Sequence, residues 1–239
     1  MSTFDDLLDQ KLGRRSFLLA AGVATLTLTG CARIRERREK RRFASTARSR
    51  VRVPQESSSF VSDYGALPNE RFPIAALNPS QLAPRFRRQM VRYRTKEKPG
   101  TVIVDTRSFY LYHVRPGGEA MRYGVGLGRQ GFAWSGRAKI QWKRPWPTWT
   151  PPEEMIERQP ELEKYSAENG GMQPGIDNPL GSRALYIFQD GEDTLYRLHG
   201  TPEVSSIGKA VSSGCVRLVN QDVIHLYDNV RSGSTIVVR

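Results

Sequence analysis

The change of texture at Pro99-Gly100 limits the fold more than any other feature of the chain. Beyond it, Thr101-Val102-Ile103-Val104-Asp105 and Phe109-Tyr110-Leu111-Tyr112-His113-Val114 are rich in β-branched and aromatic residues. Such runs suit a pleated surface. Pro116-Gly117-Gly118 predicts a hairpin turn, after which Ala120 to Val125 returns. Leu185 to Phe188 and Thr194 to Leu198 predict a second hairpin across residues 189–193, placing His199 at a strand end. Thr150-Pro151-Pro152-Glu153 reads as a capping box with proline at N1. Asn220 reads as the cap of a helix with Val223, Leu226, Tyr227 and Val230 on one stripe. Ser232-Gly233 ends that helix, and Thr235 to Val238 is a final strand. The expectation is a mainly β domain over 100–239 with short helices at its edges. Core packing is expected for at least half of Trp134, Trp142, Trp146 and Trp149, the rest walling a cleft.

Charge separates this part from what precedes it. Residues 1–99 hold 21 Lys+Arg against 9 Asp+Glu, whereas residues 100–239 hold 16 against 15. Of the net charge of +13, all but +1 therefore belongs to the leading segment. A nucleic-acid-binding domain should carry its charge on the folded face, so nucleic acid is not the expected partner. Residues 1–31 read as an export signal. Arg14-Arg15-Ser16-Phe17-Leu18 resembles a twin-arginine motif, and the apolar stretch from Phe17 to Thr29 is too short to span a bilayer. Leu28-Thr29-Gly30-Cys31 resembles a lipobox, which makes Cys31 the expected lipidation site; cleavage near Ala32 or a retained anchor are the alternatives. The expected location is the periplasm, with the protein anchored to the membrane as a lipoprotein. Residues 32–61 are too charged to pack and predict a flexible basic linker. Its cations would each add about 1 kcal/mol near anionic head groups. Residues 62–99 carry Phe72, Ile74, Leu77, Leu82, Phe86, Met90 and Tyr93, which predict a packed extension with a short helix or two near Pro84.

If Cys31 is lipidated or removed, Cys215 is the one cysteine left, in a compartment where disulfides form. It sits in Ser212-Ser213-Gly214-Cys215-Val216-Arg217, sixteen residues after His199. An imidazole beside a thiol gives a nucleophile that works near neutral pH. Gly214 clears space beside the sulfur, and turn N–H groups can converge as an oxyanion hole requires. An extended exit would place Cys215 and Arg217 on one face, with the guanidinium suited to a carboxylate. A packing cysteine, or a disulfide to Cys31, remains the plainer reading at this point. Gly124, Gly126 and Gly128 lie in a strand-like run with no helix start after them, which argues against a nucleotide loop. His113 reads as structural, and His225 as facing solvent. Asp222 reads as a helix-dipole carboxylate and not as a triad member.

His199-Gly200-Thr201, Ile207-Gly208 and Ser212-Ser213-Gly214-Cys215-Val216-Arg217-Leu218 resemble the signature of L,D-transpeptidases with a YkuD-type catalytic domain. The resemblance covers roughly residues 100–239 and includes Trp146-Pro147-Thr148-Trp149-Thr150-Pro151-Pro152 and Asn178-Pro179-Leu180-Gly181. It implies a β-sandwich-like catalytic domain that needs no metal or cofactor and acts on peptidoglycan stem peptides. Cys215 would be the nucleophile, His199 the base, and the Gly200 carbonyl its orienting group. Backbone around Gly214 and Cys215 would form the oxyanion hole, with Ser213, Thr201 and Arg217 as further oxyanion or substrate contacts. Many members have histidine where this chain has Ser213. The implied reaction is 3→3 cross-linking through a thioester. Hydrolysis of the same thioester, as an L,D-carboxypeptidase or endopeptidase, and a non-catalytic peptidoglycan-binding lipoprotein are the competing readings.

Overall fold

The computed structural model describes residues 58–128, 135–212 and 214–239. The expectations at the export signal, Cys31, most of the basic linker, Trp134 and Ser213 lie outside these residues.

The described chain is mostly β. Its strands are β1 (Gln89–Arg92), β2 (Val102–Asp105), β3 (Tyr110–Arg115), β4 (Glu119–Gly124), β5 (Leu127–Gly128), β6 (Gly136–Pro145), β7 (Arg183–Gln189), β8 (Glu192–Thr201), β9 (Ala210–Ser212), β10 (Val216–Val219) and β11 (Ser234–Val238). Three short helices accompany them: α1 (Ser58–Tyr64), α2 (Glu153–Arg158) and α3 (Asn220–Asn229). Nine strands form one mixed sheet in the order β1-β4-β3-β2-β11-β6-β7-β8-β10, and β5 pairs with β9 in a small ribbon. The sheet curls: Gly126 and Arg217 exchange backbone hydrogen bonds of 2.9 Å, which ties the end of β4 to β10 across the molecule. One core cluster accordingly draws on both halves of the sheet, with Val102, Leu111, Tyr123, Ile140, Leu185, Leu198, Val216 and Ile236 buried together. Val223, Leu226 and Val230 of α3 close it, and each fully buried side chain of this kind contributes about 1.5–3 kcal/mol.

Both hairpins form, the second more tightly than expected. Asp190 and Gly191 alone turn the chain, both at positive φ (52° and 90°), as a two-residue hairpin matched to strand twist requires. Several local expectations give way. The Thr150 capping box does not form. Pro152 is extended at the N-cap position and α2 starts two residues late, which puts Thr150 out of reach of the first turn. Asn220 does not cap α3 either. Val219 occupies the cap, and Asn220 Oδ1 instead accepts the Ser182 N–H at 2.9 Å. The residues around Pro84 make 3₁₀ turns (Pro79–Gln81 and Pro84–Phe86), not a regular helix. The chain then enters β1, because the open edge of β4 offers hydrogen bonds that outweigh local helical spacing. Helix α1 begins inside the stretch expected to be linker, with Phe60 and Tyr64 buried. Of the described tryptophans only Trp146 is buried; Trp142 is 38% exposed and Trp149 half-buried. His225 does not face solvent. It is half-buried, and its Nδ1 lies 2.8 Å from the Tyr123 hydroxyl.

Candidate active site

The site is built on two neighbouring parallel strands. In the β8–β10 register, Leu198 pairs with Val216, His199 with Arg217, and Gly200 with Leu218. Leu198, Val216 and Leu218 belong to the core cluster. With a side-chain period of two, His199 and Arg217 therefore share the opposite face. Cys215 comes directly before β10, in line with Arg197 of β8, whose backbone N–H donates to the Cys215 sulfur. The topology thus brings His199, Cys215 and Arg217 together, as their spacing suggested.

His199 is 4% exposed, and its Nδ1 sits 2.6 Å from the Gly200 carbonyl oxygen. A carbonyl can only accept, so Nδ1 carries the proton and Nε2 keeps its lone pair. The peptide that holds this tautomer is itself fixed by close packing. A Cβ on Gly200 would lie 2.4 Å from Asn220 Oδ1, and one on Gly181 would lie 2.6 Å from the Gly200 carbonyl carbon. Glycine is required at both positions, and Asn220, bonded to Ser182, locks α3 against the back of His199.

Burial dominates the electrostatics. It pushes the His199 imidazole down to about 4, against the Gly200 hydrogen bond, and the Arg217 and Arg197 charges add to the depression. Burial also pushes the Cys215 thiol up, while the Arg197 backbone hydrogen bond and the charges of Arg197 and Arg217 pull it back. The resting pair is therefore neutral thiol and neutral imidazole, with two guanidiniums ready to stabilise a thiolate once the proton moves.

Arg217 Nη1 pairs with Glu203 Oε2 at 3.0 Å, while its buried Nε has no hydrogen-bond partner among the described residues. Gly214 adopts φ +135° over the ring of Tyr196, where a Cβ would meet Cε1 at 3.0 Å. The Thr201 hydroxyl accepts the Glu203 N–H at 3.1 Å, so this side chain shapes the start of the loop between His199 and Cys215. Arg197 is the residue that sequence reasoning missed. Asp193 grips it through two bonds of 2.7 and 2.8 Å, and its guanidinium lies 4.4 Å from the Tyr186 ring centroid. Tyr186 in turn stacks on Trp142 at 3.8 Å and 6°. Its position two residues before His199, on the same strand face, was the available signal. The remaining histidine, His113, is buried and pushed down to about 4 by desolvation, as a structural residue would be.

Residues 99–238 match the model of the YkuD family, described as the L,D-transpeptidase catalytic domain. The chain belongs to this L,D-transpeptidase family. Among curated relatives, Escherichia coli K12 proteins named Probable L,D-transpeptidase ErfK/SrfK and Probable L,D-transpeptidase YbiS share 31% identity over 147 residues and 33% over 141. These matches cover 57% and 56% of this chain and 43% of each relative, so the chain spans less than half the length of the curated relatives it matches. A Brucella melitensis crystal structure, titled as a probable carnitine operon oxidoreductase, is 44% identical over 68% of this chain and 99% of that one. Its TM-score against this chain is 0.46.

Proposed function

We propose that the protein is a peptidoglycan L,D-transpeptidase that forms 3→3 cross-links between stem peptides through a thioester on Cys215. The observation that carries this reading is the His199 Nδ1–Gly200 carbonyl bond, which leaves Nε2 as a base on the face shared with Arg217. His199 Nε2 takes the Sγ proton as the sulfur attacks the carbonyl of the diaminoacyl residue in a tetrapeptide donor. Backbone N–H groups around Gly214 and Cys215 hold the oxyanion of the tetrahedral intermediate. Collapse breaks the amide bond, and the imidazolium returns its proton to the departing amine of D-alanine. The side-chain amine of a second stem then attacks the thioester, and Cys215 regains its proton. Arg217, whose Nε–H has no partner among the described residues, is suited to a substrate carboxylate. The same reading places the protein in the periplasm, tethered through a lipid on Cys31 and a basic linker.

Intact-mass analysis of the full chain after exposure to a carbapenem or to disaccharide-tetrapeptide tests this. A covalent adduct lost in Cys215→Ala, and a cross-linked dimer lacking one D-alanine, are the expected results. An adduct that survives Cys215→Ala removes the nucleophile. Tripeptide as the sole product replaces transfer by hydrolysis, and no adduct at all favours a binding protein. On native material the same measurement reports a lipid at Cys31.

The pH dependence follows from burial. Because His199 stays neutral down to about pH 4, the acid limb of the acylation rate is expected near 4 and not near the ordinary imidazole value of 6.5. A limb between pH 6 and 7 would mean that His199 is solvated in the working enzyme.

A further inference from the structure

Residues 58–92 precede the family match, which starts at residue 99, yet they are built into the catalytic domain at several points. Strand β1 extends the sheet on β4. Glu70 bonds Arg183 Nη2 at 2.7 Å and Trp146 Nε1 at 2.9 Å. Arg88 is shared between Asp63 and Asp222, and Gln221 donates to the Ala75 carbonyl at 3.0 Å. The contact nearest the chemistry is made by Phe86. Its ring lies flush against the backbone of Gly208, where a Cβ would fall 2.2 Å from Cε2 and 2.4 Å from Cζ. Its own backbone and Cβ rest equally closely on Gly124, at the end of β4. Ile207 and Val219 pack in one cluster with Phe86, Phe60, Tyr64 and Leu82.

Gly208 and Ile207 belong to the loop that runs from Thr201 to Gly214 and so fixes Cys215 relative to His199. Gly208 N–H donates to the Val125 carbonyl at 2.9 Å, Lys209 accepts from Leu127, and the chain then pairs with β5. Phe86 thus fills the angle between the end of β4 and this loop, where the loop crosses onto the other half of the sheet. We propose that the extension is a buttress for the catalytic loop and that Phe86 is a positioning residue for Cys215. The inference rests on the reading of Cys215 as nucleophile. A catalytic loop displaced by about 1 Å costs on the order of 100-fold in rate, so a wedge here affects turnover before it affects substrate binding.

The test uses the full chain with Phe86→Ala and the milder Phe86→Leu. It measures the carbapenem acylation rate per folded molecule, kcat and KM for tetrapeptide, and amide exchange by mass spectrometry. Phe86→Ala is expected to lower acylation and kcat about 10- to 100-fold with KM nearly unchanged. Exchange should rise in residues 202–212 while β2 and β3 stay protected, and Phe86→Leu, which keeps only part of the wedge, should show a smaller loss of rate, about 3- to 10-fold, with a smaller rise in the same exchange. An unchanged rate in folded Phe86→Ala overturns the proposal, as does exchange that rises everywhere in parallel with the loss of rate. Should Phe86→Ala fail to fold, a Phe86→Leu protein with wild-type rate and wild-type loop exchange overturns it equally. If wild-type protein forms no adduct, the reading of Cys215 has failed, whereas the exchange pattern still reports on the buttress.

Discussion

Replacing His199 with alanine is expected to lower acylation of Cys215 by about 10²- to 10⁴-fold while leaving a folded protein, the usual worth of a positioned general base. The thiol is pushed up by burial, so little thiolate exists at neutral pH without a neighbouring acceptor. The Gly200 carbonyl commits Nδ1 as donor and leaves Nε2 free to accept that proton, and no other histidine shares this strand face. Folding should survive, because Leu198, Val216 and Leu218, not His199, fill the core side of the strand pair. The residual rate should climb with pH, as hydroxide takes over thiol deprotonation. Stopped-flow acylation alongside a thermal melt checks both halves. Unchanged turnover removes His199 as base, and a collapsed melt would show that its role is structural.

Arg88→Met should be the most destabilising substitution outside the site, at roughly 3–5 kcal/mol, because it strands a buried carboxylate. Asp222 is 1% exposed and meets Arg88 Nη1 at 3.2 Å and the Tyr64 hydroxyl at 3.2 Å. For a domain of this size that loss corresponds to a fall in Tm of roughly 6–20 °C. The sign of its pH dependence is fixed. Burial already pushes the Asp222 carboxyl up to about 7 despite Arg88 and Tyr64, and removing Arg88 pushes it higher. A raised carboxyl contributes stability while protonated and loses it as pH rises through the folded value. The deficit of Arg88→Met should therefore be smaller at pH 5.5 than at pH 8, and Asp222→Asn in the same protein should recover part of it. A deficit that is equal at both pH values would exclude an uncompensated carboxylate as its cause.

The legible part of this molecule is the part whose partners are close in sequence. Hairpins, the last helix and the pairing of His199 with Cys215 follow from strand period and turn chemistry within a few tens of residues. The illegible part depends on partners that no local pattern connects. Tyr64 with Asp222 and Arg88 with Asp222 are 158 and 134 residues apart, and Glu70 with Arg183 is 113. Asp222 looked like an ordinary first-turn carboxylate because Arg88, Tyr64 and Asp63 come from another segment. His225 looked solvent-facing because Tyr123 cannot be placed beside it before the sheet is known. Asn220 carried a correct signal with the wrong recipient: its amide oxygen accepts a backbone N–H, but from Ser182. Trp142, expected to wall a cleft or pack in a core, instead stacks on Tyr186 and through it supports Arg197.

Strand β11 joins the sheet by parallel pairing to β2 and antiparallel pairing to β6. Among the described residues it is the only strand that links β1–β4 to β6–β10 within the large sheet. Two sequence-continuous halves are thereby made into one sheet by five residues that follow both of them. Loop closure across more than a hundred residues must come before the central pairing is rewarded, which places this chain among slow, high-contact-order folders. The half bearing His199 and Cys215 can form its hairpin early, but it shares a sheet with the half bearing the extension only once that strand has found its slot.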